Sequence, residues 1–105
     1  MTGRYPSPNS VLGRVLGALL RREKLTGKEV WLRLGSSRLS HHICALRQDG
    51  WPINSQRIEV VTSDNGRVAR IAEYWLDGID IAAAGDQGRE FGRVTLAVEQ
   101  ARKAA

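Results

Sequence analysis

The sequence predicts a small α+β domain, mainly α-helical, in which three helices precede one β-hairpin and a helical extension follows it. Three observations support this class. Before residue 50, apolar residues recur at helical spacing in three segments bounded by capping residues and glycines. After residue 53, runs of β-forming residues flank an Asn-Gly turn. The chain has 105 residues, of which 42% are hydrophobic, and this is enough for one small core.

The domain organisation follows from these patterns. Residues 1–8 contain two prolines and are predicted to form a flexible arm. Residues 9–76 hold the three helices and the hairpin, and residues 77–105 form an extension with a helix near 87–104. The sequence shows no apolar run long enough to cross a membrane and no secretory signal, so we expect a cytoplasmic, nucleoid-associated protein of a bacterial host. Its single cysteine suits a reducing compartment.

The first helix is predicted to begin after Asn9 or Ser10, either of which can cap it, and to run to about Glu23. Its wide apolar stripe consists of Val11, Leu12, Val15, Leu16, Leu19 and Leu20. Gly13 and Gly17 weaken this helix, but they would allow another helix to approach it closely.

The second helix is predicted from the segment TGKE at residues 26–29, where Thr26 caps the helix and Glu29 reaches back to it. Gly35 ends the helix. Its side chains available to the core are Val30, Trp31 and Leu34. Trp51 and Trp75 also stand at the ends of apolar stretches, so we expect at least two of the three tryptophans in the core, rather than stacked on bases.

The third helix is predicted to begin with Ser36 or Ser37 as its cap and to run to Asp49. Gly50 ends this helix, and Pro52 prevents an immediate restart. Its narrow buried stripe consists of Leu39, Ile43 and Leu46.

The segments QRIEVVT and RVARIAEYW flank SDNG and predict one antiparallel hairpin over roughly 56–75. The pattern of β-forming residues ends at the segment DGIDIAAAGDQG. A last helix is weakened by Gly88 and Gly92, and its apolar stripe consists of Phe91, Val94, Val98 and Ala101. Two packings stay open: a homodimer formed through this helix, or a return onto the first helix at Gly13 and Gly17.

The positive charge is concentrated in the first half of the chain. Residues 1–50 hold nine basic and three acidic residues, 51–76 hold three of each, and 77–105 hold four basic and five acidic residues. The formal net charge is +5. A basic face on a small domain attracts polyanions, most often nucleic acid.

The order of helix, short helix, tight turn, helix and hairpin is that of a winged helix-turn-helix domain. The run at residues 25–53 also resembles the winged helix-turn-helix family common in phages and prophages. The residues that carry the resemblance are Gly35, Arg38, Leu39, Ser40, Ile43, Leu46, Arg47, Gly50 and Ile53. The DNA-binding domain of biotin repressors has a similar pattern. The resemblance covers residues 9–76 and implies DNA binding through residues 36–48 and the hairpin.

The segment RLSHHICALRQDGWPI holds both histidines and the only cysteine. His41 and His42 are rotated by about 100° on a helix, so they are badly placed to bind one ion. A structural zinc needs about four ligands, and the sequence has no further Cys or His. Cys44 in the middle of a helix is poorly placed as a nucleophile. We therefore expect no metal and no cofactor, and we expect His42 to pack beside the buried stripe.

The exposed side of the third helix is instead predicted to contact DNA. Opposite the buried stripe lie short polar and cationic side chains: Ser37, Arg38, Ser40, His41, Cys44, Arg47 and Gln48. Small side chains permit close approach to base edges, and Gln and Arg can bond to adenine and guanine. At the hairpin tip, Asn65 and Arg67 are predicted to contact phosphate or a minor groove, although Asp64 opposes this. The pattern leaves open on which face Arg57 and Arg70 lie.

The favoured function is therefore sequence-specific binding of double-stranded DNA without catalysis, by a transcriptional regulator or accessory factor of a phage or mobile element. The alternative is a phage protein-binding module on the same fold, for example an inhibitor of a host nucleic-acid complex, with a host protein as its partner. An enzyme that uses Cys44 is a more distant alternative. DNA binding should weaken steeply with salt, whereas a protein interface need not.

Overall fold

The computed structural model describes residues 3–61 and 66–104. Its elements in chain order are α1 (Val11–Leu20), β1 (Leu25–Thr26), α2 (Gly27–Leu34), α3 (Leu39–Gln48), β2 (Asn54–Val61), β3 (Val68–Trp75) and α4 (Gly78–Ala104). The predicted α+β class is confirmed, with three helices before a hairpin and a helical extension after it. A short strand, β1, was not predicted; it joins the hairpin to give a sheet of order β1-β3-β2.

Helix α1 supplies the centre of the core. Ser10 is its N-cap, and the Ser10 hydroxyl accepts a hydrogen bond from the Gly13 N–H at 2.9 Å. Val15, Leu16 and Leu19 are completely buried. The helix ends at Leu20 and not near Glu23, because Arg22 adopts a left-handed conformation with φ 68° that terminates it.

The predicted boundaries of α2 and α3 agree only partly with the structure. The Thr26 hydroxyl accepts from the Glu29 N–H at 3.4 Å and lies 3.2 Å from the Glu29 carboxylate, so the predicted cap is confirmed. Gly35 ends α2 with φ 72°. Neither serine caps α3, which begins only at Leu39. The Ser36 hydroxyl accepts from the Arg38 N–H at 3.2 Å and so stabilises the turn before the helix.

The predicted stripe of α3 is confirmed, since Leu39, Ile43 and Leu46 are all buried. The tryptophans differ from one another. Trp51 is 2% exposed, Trp75 is half-buried with the Lys24 ammonium 5.4 Å from its ring centre, and Trp31 is 57% exposed. Trp31 is therefore not a core residue, because α2 turns only Val30 and Leu34 inward.

The hairpin pairs Asn54 with Trp75 at one end and Val61 with Val68 at the other. Strand β1 pairs Leu25 with Tyr74, and so attaches the start of α2 to the sheet. Residues 62–65, which include most of the predicted turn, lie outside the described part of the chain. Gly66 beside them has φ 69°, as a tight turn requires.

Helix α4 begins at Gly78 with a first segment that was not predicted, and its second segment covers the helix predicted near 87–104. It breaks at Gly85, where φ is 61° and ψ is −145°, and continues to Ala104. The second segment packs against α1 of its own chain, as one of the two alternatives predicted. The buried positions of this segment are Gly88, Gly92, Thr95 and Glu99, not the predicted apolar stripe. Phe91, Val94 and Val98 are half-buried, and Ala101 is exposed.

Glycine makes this helix pair possible. A Cβ atom at Gly17 would lie 1.8 Å from the Thr95 hydroxyl oxygen, so only glycine fits there. A Cβ at Gly92 would lie 3.1 Å from Cγ of Arg21. The close approach predicted at Gly17 is thus observed. Gly13 serves a different contact, because its missing Cβ would lie 2.0 Å from the Ser7 carbonyl oxygen.

The described part of the N-terminal arm is packed onto the domain, in contrast to the flexible arm that its prolines predicted. The Arg4 N–H donates to the Asp49 carbonyl at 2.9 Å, and the Trp51 indole N–H donates to the Arg4 carbonyl at 2.7 Å. The Tyr5 ring contacts Trp51 edge-on and Phe91 at a tilt, with ring centres 5.1 and 5.0 Å apart. These aromatic contacts anchor the arm between α3 and α4.

Candidate nucleic-acid interface

The structure brings the predicted residues of α3 together on one exposed surface. The residues that are exposed are Ser37, Arg38, Ser40, His41, Cys44, Arg47 and Gln48. They surround the helix on the side opposite its buried stripe. Helix α3 therefore has one face for the core and one polar face for solvent or a ligand, at the spacing that the sequence indicated.

The N-terminal end of α3 faces a groove. Ser37 and Ser40 line an opening of about 310 Å³ together with Lys28 of α2 and Tyr74 of β3. No side chain caps the first turn of α3, so its amide groups are open to an acceptor. Exposed Arg38 stands at the N-cap position. Backbone amides, hydroxyls and two cations are the groups that bind a phosphate.

Arg47, which is predicted to contact DNA, is exposed and also has partners within the chain. Its guanidinium donates from Nε and Nη2 to the Ile53 carbonyl at 3.0 and 2.8 Å, and Nη2 lies 3.5 Å from the Ser55 hydroxyl. Arg47 therefore attaches the end of α3 to the start of β2. This contact positions α3 relative to the hairpin.

The two histidines have separate environments. His42 is half-buried, and its Nε2 lies 2.9 Å from the Ser36 hydroxyl oxygen. That hydroxyl accepts from the Arg38 N–H, so its own proton is available to the ring. Burial, followed by the nearby His41 and Arg38, holds the pKa of His42 below its usual value. A neutral His42 thus packs beside the core and supports the α2–α3 turn.

Cys44 is exposed, and its Sγ lies 3.9 Å from the Gln48 amide nitrogen. The rings of His41 and His42 are 6.1 Å apart between centres. Over residues 3–61 and 66–104, no three His, Cys, Asp or Glu side chains come close enough together to hold a metal ion.

The hairpin places its arginines along one side. The register pairs Arg57 with Ala72 and Arg70 with Glu59, so both arginines lie on the same face, which the sequence alone could not decide. Arg70 forms an exposed ion pair of 3.6 Å with Glu59. Arg67 is exposed near the tip. Asn65, the other predicted tip residue, lies outside the described residues.

The basic charge of the first half is divided between two surfaces. Arg21 and Arg33 point into the contact between α1, α2 and α4, where Arg33 pairs with Glu23 at 2.6 Å and with Glu99 at 3.2 Å. Arg14 is 7% exposed. The charge count alone predicted a basic face, to which these partly or fully buried arginines contribute little. Lys28, which it did not single out, is exposed in the groove beside α3.

Comparison with known proteins separates the domain that ends with β3 from the extension α4. Residues 13–78 match the family model described as the winged helix-turn-helix domain; the match begins at the third residue of α1, includes β3 and stops at the first residue of α4. No curated protein and no solved structure gives a significant match. Within the described ranges, none of the helices is both long and apolar enough to cross a membrane.

Proposed function

The chain belongs to the winged helix-turn-helix domain family, and from this premise we propose that it is a non-catalytic protein that binds double-stranded DNA sequence-specifically through α3. Domains of this family are typically DNA-binding modules, and a small basic chain suits that partner. We place α3 in the major groove with its N-terminal turn beside a phosphate.

We assign one role in this complex to each candidate residue. Arg38, Lys28 and the open amides of α3 contact the DNA backbone and set the register of the domain. Ser40, His41, Cys44 and Gln48 face the bases, where short side chains allow the helix to approach closely. Arg67 and Asn65 contact the backbone or a minor groove beside the hairpin. Arg47 fixes the position of α3 relative to the hairpin.

One observation supports this proposal most strongly. Between Arg38 and Arg47, the centre of the exposed face of α3 carries the shorter side chains Ser40, His41 and Cys44, whereas the opposite face is buried, and Lys28 and Arg38 border the exposed face at its N-terminal end. An ordinary solvated helix face would be expected to carry longer charged side chains. This face instead has the size and donor pattern of a groove reader.

We further propose a regulatory or accessory role in a phage or mobile element, within the cytoplasm of a bacterial host. The resemblance of residues 25–53 to phage and prophage domains supports this role. The DNA target can be identified by selecting bound sequences from random duplexes.

The decisive experiment compares Arg38→Ala with Arg89→Ala on the selected duplex. Both substitutions remove one exposed positive charge, but Arg89 lies on α4 and pairs there with Asp86. We expect Arg38→Ala to weaken binding about tenfold and to lower the slope of log affinity against log salt by about one, as loss of one phosphate contact predicts. Equal affinities for the parent and both variants would overturn the proposed interface. A full chain that selects no duplex would favour a protein partner.

A further inference from the structure

The hairpin ends the sheet with a long open edge. Strand β2 is the outer strand in the order β1-β3-β2, and it spans eight residues. Within the described residues, its outer backbone N–H and C=O groups face no other strand. The opposite edge is partly closed by the two residues of β1. An open edge of this length is a template for pairing with another strand.

The residues of β2 determine which strand fits this edge. Arg57 and Glu59 are exposed and lie on one face of the strand, on either side of Ile58, which faces the other way. If a second β2 pairs antiparallel with Ile58 opposite Ile58, each Arg57 lies directly opposite a Glu59 of the other copy. Arg57, which lies opposite Ala72 within the hairpin, then gains a carboxylate partner, and Glu59, which already contacts Arg70, gains a second cation; two-fold symmetry gives this pair twice.

We propose that a second copy of this chain binds along β2, antiparallel and with Ile58 at the two-fold axis, so that the two sheets form one continuous sheet. This inference concerns a surface separate from α3. It does not depend on the proposed DNA binding.

The other face of the hairpin supports the same register. Ile58 is paired with Ile71 inside the hairpin, and both are half-buried. In the dimer, the row across four strands becomes Ile71, Ile58, then Ile58 and Ile71 of the second copy. This row lies beside an apolar groove of about 810 Å³ that α2 forms with the hairpin, bordered by Leu32, which is 70% exposed. The second copy would extend this apolar floor and bury more of it.

Other self-pairings of the available edges are less favourable. With Arg57 or Glu59 at the two-fold axis, two like charges lie opposite each other, which is destabilising. With Val60 at the axis, Glu59 faces an apolar Val61. On the opposite edge, residues 68–72 of β3 contain one charged residue, Arg70, so they offer no complementary pair. Charge therefore selects β2 and the register centred on Ile58.

The charge pairing is tested by a swap. We expect the full chain to dimerise in analytical ultracentrifugation without DNA, and Arg57→Glu to weaken the dimer at least about tenfold, because two attractive pairs become repulsive. The triple variant Arg57→Glu/Glu59→Arg/Arg70→Glu restores both pairs between the copies, keeps residue 59 opposite a group of opposite charge within the hairpin, where Glu59 contacts Arg70 at 3.6 Å, and should recover the dimer. Lys103→Glu makes the same charge change at the exposed end of α4 and should leave it unaffected. A parent chain that stays monomeric at several hundred micromolar, or a swap that fails to recover the dimer, would overturn the proposal.

The register is tested by cross-linking in a Cys44→Ser background. Ile58→Cys places two thiols opposite each other at the axis, at a separation near that of a disulfide. Val60→Cys on the same face places its two thiols about 13 Å apart along the strands. We expect mild oxidation to cross-link the Ile58→Cys chain at least tenfold faster than the Val60→Cys chain. Equal rates, or faster cross-linking at residue 60, would contradict this register whatever the DNA-binding result is.

Discussion

The two sides of this domain are built in opposite ways. Where α1 meets α4, the helices approach through Gly17 and Gly92, and the polar groups between them have partners within the chain. Arg21 donates to the Gly92 carbonyl at 2.7 Å and to the Thr95 hydroxyl at 3.1 Å. On the other side, α3 and the hairpin present exposed polar residues, a groove and an open strand edge.

The difference separates stability from recognition. Buried polar groups are tolerated where each has a partner, and such networks hold two elements in one arrangement. Although burial alone would lower it, the hydrogen bonds that Arg33 donates to the carboxylates of Glu23 and Glu99 hold the pKa of Arg33 above its usual value. We therefore expect substitutions between α1 and α4 to change folding, and substitutions on α3 to change binding.

The largest effect should come from removing α4. The family match ends at residue 78, so a chain ending at Asp77 contains the matched domain without its extension. Such a chain would expose one side of α1 and lose the Phe91 contact with Tyr5. We expect a loss of about 5 kcal/mol in the free energy of unfolding, from the area of several half-buried apolar side chains, or no cooperative unfolding transition. A truncated chain as stable as the parent in urea would show that α4 is dispensable.

A smaller but still large effect is expected from adding one methyl group at the helix contact. Gly17→Ala forces a Cβ atom against Thr95, and we expect it to lower the free energy of unfolding by about 2 kcal/mol. Gly27→Ala is the matched control, because no atom lies within 4 Å of the added Cβ. That variant should be neutral or slightly more stable, since alanine favours helix. Equal stabilities of the two variants in urea would contradict the close packing.

The buried ion pair should contribute less. Glu99 is 5% exposed and faces Arg33, so Glu99→Gln leaves that guanidinium with a neutral partner. We expect a loss of about 1 kcal/mol in the free energy of unfolding, because Arg33 keeps Glu23 and is partly exposed. Glu90→Gln removes an ion pair with Arg93 on the outer side of α4 and should cause no measurable change. A larger loss of stability in Glu90→Gln than in Glu99→Gln would contradict a greater contribution of the buried ion pair.

The sequence predicted the α3 side well because its signals are local. The cap at Thr26, the glycine that ends α2 and the stripe of Leu39, Ile43 and Leu46 each depend on residues a few positions apart. The face opposite that stripe then follows from helical geometry. The sequence did not show that Arg47 is held by the Ile53 carbonyl, because that contact depends on how the chain turns after Trp51.

The α4 side was predicted less well because its signals are not hydrophobic. The apolar pattern pointed to the stripe that contains Phe91, whereas the buried positions around it are glycine, threonine and glutamate. A periodicity rule treats those residues as polar or helix-breaking. Their burial makes sense only with Gly17 and Arg33 opposite, and those partners come from distant parts of the chain. The β1 strand was missed because it has only two residues, which are too few to show a periodic pattern.

The smallest expected effect lies on the α3 side, at His42. Since its pKa is held below the usual value of about 6.5, mainly by burial, the unfolded chain binds a proton more readily than the folded chain. The contribution of neutral His42 to stability is therefore complete above pH 6.5 and is lost as the pH falls toward the lower folded pKa. We expect the urea midpoint of the parent to decrease more between pH 7.5 and 5.5 than that of His42→Gln. His41→Gln should retain most of the dependence, because burial of His42 is unchanged. If His42→Gln shows the same decrease as the parent, the His42 ring is not desolvated against the core.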